Sequence, residues 1–114
     1  MTYPAWIEGF PGSITVCDRE GIVLFMNAQA QSVFAAEGGA ALIGSNLLDC
    51  HPQAARSKLV EMMKNQQANV YTIEKKGQKK LIYQTPWYDN GQYAGFVELS
   101  LVIPSEMPHF IRQG

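Results

Sequence analysis

Hydrophobic positions along the chain change period twice, from every second residue to every third or fourth and back again. Residues 13–17, Ser-Ile-Thr-Val-Cys, alternate with Ile14 and Val16 on one face, the pattern of a half-buried strand. Asp18-Arg19-Glu20-Gly21 reads as a tight turn, and residues 22–26 as a second strand, so the pair makes a hairpin. Asn27 follows, a favoured N-cap residue, where helical spacing begins. Ala30, Val33 and Phe34 then share one face of a short helix that Glu37-Gly38-Gly39 stops. Residues 40–51 make a compact link, with one helical turn expected around 46–49 and Leu47 and Leu48 as its core anchors. Beyond it Ala55, Leu59, Met62 and Met63 recur at three and four, which predicts a helix over 53–66. Pro52 is placed to open that helix, because a first-turn residue has no use for its N–H.

Period two returns over 69–74, with Tyr71 and Ile73 on one face, and Lys75 to Lys80 form a solvated hairpin tip. A longer strand over 81–88 sets Leu81, Tyr83, Thr85 and Trp87 against Ile82, Gln84, Pro86 and Tyr88. Pro86 marks a bulge or an edge, since it has no N–H for a ladder. Asp89-Asn90-Gly91-Gln92 is a turn, and residues 93–103 are the last strand, with Val97, Leu99 and Leu101 expected inward. Two strands, a group of helices and a three-strand meander predict an α+β domain, a five-stranded antiparallel sheet with helices packed on one face. Residues 13–104 form this domain. Residues 1–12 are a short cap carrying Trp6, Ile7 and Phe10 on one face, and 105–114 a tail.

Composition narrows the partners. The 114 residues suit one domain with a real core. A net charge of -1 with 17% charged residues gives no reason to expect nucleic acid or an anionic membrane as partner. No apolar run reaches the roughly 18 residues of a membrane span, and the first residues lack a basic leader pattern, so a cytoplasmic protein is expected. Two cysteines, Cys17 and Cys50, are too few for a disulfide scaffold and read as thiols.

Candidate chemistry concentrates in the run from Asn46 to Pro52, which sets Cys50 beside His51 at a helix start. The helix dipole there favours a thiolate or a bound anion by roughly 0.3–1 kcal/mol when exposed. Against this, His51 can simply cap the helix and Cys50 pack as a small hydrophobe. A zinc site would have to draw on Cys17, Cys50, His51 and His109, whose spacing is irregular. No third group orients a Cys50–His51 pair, and neither a phosphate-cradling glycine loop nor an HExxH run is present, so no enzyme is expected.

The opening Ile-Thr-Val-Cys-Asp at 14–18, then Gly-Ile-Val-Leu-Phe-Met-Asn at 21–27, and the link Leu-Ile-Gly-Ser-Asn-Leu at 42–47 resemble a PAS domain over almost the whole chain. Asp89-Asn90-Gly91 before Tyr93 to Glu98 matches the family's last two strands, and Cys50-His51-Pro52 is similar to a subgroup with that motif at its longer helix. The resemblance implies a signal-sensing module with a small ligand or cofactor held between helices and sheet. It implies a pocket of Phe34, Leu48, Met62, Tyr83 and Leu99, in which haem is one candidate, with His51 or Cys50 as axial ligand. The flavin-bonding cysteine of light-sensing relatives sits in an Asn-Cys-Arg-Phe-like context that this chain lacks. The family also implies a homodimer or a signalling partner protein, bound through the outer sheet face or the N-terminal segment. Two alternatives remain open: an interaction module whose core holds no ligand, and a thiol redox sensor acting through Cys50.

Overall fold

Among the residues described by the computed structural model, 3–50 and 53–114, five strands form one antiparallel sheet in the order β2-β1-β5-β4-β3. His51, Pro52 and the side chain of Cys50 lie outside that description. The strands are β1 (Ser13–Asp18), β2 (Val23–Met26), β3 (Asn69–Lys75), β4 (Gln78–Asp89) and β5 (Gln92–Ile103). The helices are α1 (Ala5–Gly9), α2 (Ala28–Val33) and α3 (Gln53–Asn65), with short 3-10 turns at Ala35–Glu37, Gly39–Leu42 and Leu47–Cys50. This is the α+β architecture that the spacing predicts. The chain's first strand closes on its last, Thr15 pairing with Glu98 and Cys17 with Phe96.

The first hairpin is built by Asp18. Its carboxylate accepts from the backbone N–H of Glu20 at 2.9 Å and of Ile22 at 3.0 Å, an Asx turn that fixes the reversal. Gly21 sits there at φ 88°, a left-handed conformation that suits glycine. The expected second strand loses its first residue: Ile22 forms an isolated bridge to Asn46, while its carbonyl still accepts from Asp18 N at 2.9 Å. The link over 42–47 is stitched along the far side of β2 by Val23 N to Ser45 O, Gly44 N to Val23 O and Leu47 N to Gly21 O, at 2.8–2.9 Å. An otherwise open sheet edge is thereby covered.

Asn27 is fully buried and ties three segments together. Its side-chain oxygen accepts from Ala30 N, capping α2, and from Ile14 N on β1, each at 3.0 Å. Its amide donates to Gly12 O at 2.9 Å and to Ile7 O at 3.1 Å. The lead-in segment is thus anchored by backbone carbonyls, while Trp6 stays 70% exposed. The helix expected to run to Glu37 stops at Val33 and continues as 3-10 turns. In α3 only the second half packs: Met62 and Met63 are buried and Leu59 half-buried, whereas Ala55, expected on the apolar face, is exposed with the rest of 53–58.

Pro86 pairs with Phe96 of β5, beyond the point where β3 ends its pairing with β4 at Gln84. Its missing N–H therefore removes no ladder bond. Gly95 is fixed by crowding: at φ 151° it lies against the Cys17 carbonyl of β1, where a Cβ would collide with backbone.

Candidate functional site

A cavity of about 350 Å³ opens between the sheet and the helices. Val23, Met26, Phe34, Leu42, Leu47, Leu59 and Met62 give its apolar walls, and Cys17 and Phe96 are its apolar floor on β1 and β5. Val97 joins them from β5, and Thr15, Gln84 and Glu98 give the floor its polar part. Thr15, Glu98, Gln84 and Asn69 stand directly opposite one another in register across β1, β5, β4 and β3. The Gln84 amide donates to a Glu98 carboxylate oxygen at 2.8 Å, and Asn69 donates to the Gln84 carbonyl at 3.1 Å. A carboxylate only accepts, so Glu98 fixes the orientation of both amides.

The Thr15 hydroxyl, also in the lining, is buried and has no hydrogen-bond partner among the described residues. Such a group costs roughly 1–3 kcal/mol unless something satisfies it. Tyr71 lines the cavity from β3. Burial, then the negative charge of Glu98, holds its hydroxyl above the usual range, so it keeps its proton. Cys17 is 2% exposed, and desolvation raises its thiol, which therefore stays neutral.

The expected pocket residues divide. Phe34 and Met62 line the cavity, and Leu47 takes the place expected for its neighbour Leu48. Tyr83 and Leu99 do not line it. They pair with each other between the cavity residues Gln84 and Glu98, so the two-residue alternation of a strand turns them to the outer face. Leu101 goes the same way and packs near Gly12 and Phe10. Alternation sorts residues onto two faces but does not say which face meets the helices, and the more apolar one turns out to be the outer one. His51 and the Cys50 side chain lie outside the described residues, as does the Cys-His-Pro motif.

The described lining does not suit a haem. Its soft donors are a neutral thiol and methionine thioethers, and 350 Å³ lies near the bottom of the roughly 300–1,000 Å³ usual for ligand cavities. Among the described residues no three or more His, Cys, Asp or Glu gather into a metal cluster, and no helix is long and apolar enough to cross a membrane.

A family model described as "PAS fold" matches residues 7–104. The chain belongs to the PAS fold family. No curated protein matches it, but solved PAS structures share its architecture. The PAS domain of Bordetella pertussis BvgS superposes with a TM-score of 0.63 at 20% identity, covering 87% of this chain and 82% of that one. The Vibrio cholerae Aer2 receptor, titled a dual PAS-heme oxygen sensor, gives 0.59 at 18% identity, covering 82% and 95%. A sensory box sensor histidine kinase from Vibrio cholerae gives 0.60 at 13% identity, covering 86% of each chain. At these identities the likeness is one of fold.

Proposed function

We propose that this PAS domain is a non-enzymatic sensory module of the cytoplasm, which takes a small organic molecule into the cavity and passes its occupancy on through protein contacts. The observation that carries the reading is the cavity itself: an apolar chamber with convergent polar groups, one of them unsatisfied, is the form of a ligand site. The sensor proteins among the structural relatives support the signalling half. For transmission, the outer sheet face presents Tyr83, Leu99 and Leu101, with Tyr83 40% exposed, and we assign it to a second copy of this chain.

The test is a thermal-shift screen of the purified chain against a broad set of small metabolites. Binding by one chemical class, abolished when Ser45→Phe fills the cavity, supports the reading. A cavity that takes nothing, with a melting temperature unmoved throughout the set, overturns it in favour of a module that only docks proteins.

A further inference from the structure

We propose that the cavity selects small organic amines, seating an ammonium head between the Glu98 carboxylate and the Thr15 hydroxyl and the apolar body against Met26, Met62 and Phe96. This inference rests on the cavity being a ligand site and specifies what that site takes.

Charge gives the first argument. The described lining contains two carboxylates, Glu37 and Glu98, and no Lys, Arg or His. Glu98 has no cationic partner among the described residues, and the hydrogen bond it accepts from Gln84 engages only Oε2. A carboxylate beside an apolar chamber favours a cation, which supplies charge-assisted donors. An anionic ligand would meet like charge.

The direction of the polar row gives the second. Asn69 donates to Gln84 and Gln84 donates to Glu98, so the amides spend their donors on the row and leave it ending in an acceptor. On the other side of Glu98, Thr15 stands directly opposite in register. It is 9% exposed with its hydroxyl unpartnered, and directly opposed residues place their Cβ atoms about 5 Å apart. One ammonium has three donors and can serve both oxygens. The rings of Phe34, Tyr71 and Phe96 in the lining add π faces for a cation.

The test uses isothermal titration and thermal shift on the purified chain with three amines of increasing bulk, butylamine, 2-phenylethylamine and tryptamine, each beside its matched alcohol and carboxylate. At least one amine is expected to bind roughly tenfold tighter than its alcohol, with the carboxylate weakest. Glu98→Gln, which keeps the side-chain shape, should reduce amine affinity far more than alcohol affinity, so that the amine preference disappears. Circular dichroism and the melting curve report whether the variant is folded. If alcohols or carboxylates bind as well as the amines, or if Glu98→Gln retains the preference, the amine inference fails while the ligand cavity stands. If none of the nine compounds binds the unsubstituted chain, the amine inference fails, and the metabolite screen then decides whether the cavity reading goes with it.

Discussion

Tyr83 and Leu99 stand opposite each other on β4 and β5, on the side of the sheet turned away from the cavity. Placing a charge there separates the two halves of the proposed function. Tyr83→Glu is expected to leave ligand binding unchanged and shift the chain from dimer to monomer by size exclusion with light scattering. Because Tyr83 is 40% exposed, the cost in stability should be about 1 kcal/mol or less. An unchanged mass would place the self-contact elsewhere.

Thr15→Val removes a buried hydroxyl that has no partner and keeps the side-chain shape. Without ligand the variant should melt at the same temperature or higher, a gain of up to about 1 kcal/mol, while amine affinity falls. A loss above about 1 kcal/mol in chemical denaturation would mean that the hydroxyl is satisfied in solution.

Asn27→Ala is the severe substitution. It strips the cap from α2 and leaves Ile14 N and the Gly12 carbonyl without their bonds in a fully buried place. The expected loss is about 3 kcal/mol or more, read from urea unfolding. Asn27→Asp keeps the acceptor but loses the donors to Ile7 and Gly12, so it should also be destabilised.

Alkaline pH should weaken the fold in a definite window. The Cys17 thiol is raised above its ordinary value of 9.0, chiefly by burial. Tyr71 and Tyr93 are raised above 10.0, again with burial as the first cause. Well below pH 9 these groups are protonated in both folded and unfolded chains, so they add no slope. Above it the unfolded chain releases protons that the folded chain retains, and stability falls as pH rises. Cys17→Ala should remove the onset nearest pH 9, measured as melting temperature against pH.

Most of the architecture is legible in the residues. Ile14 and Val16 mark β1, Asp18 to Gly21 the turn, Asn27 the cap, and the spacing of Leu59, Met62 and Met63 the packed half of α3. The site is less legible, because period-two patterning is symmetric: Leu99 and Glu98 alternate equally well with either one inward. What decides is long-range, the register that brings Thr15, Glu98, Gln84 and Asn69 into one row from distant parts of the chain. Thr15, Gln84 and Glu98 recur at strand positions that skip the apolar face, and that was the available signal. Ala55 fits helical periodicity but lies in the exposed half of α3, which spacing alone does not reveal.

The neighbouring of β1 and β5 also bears on time. The meander of β3, β4 and β5 joins residues close in sequence, and such contacts form early, whereas Thr15 and Glu98 must find each other across most of the chain. On a ribosome the first hairpin emerges long before its central partner exists, and the edge of β1 that β5 will cover waits unpaired. Closure of this sheet is therefore a late folding step, and the floor of the cavity comes into being only when it is taken.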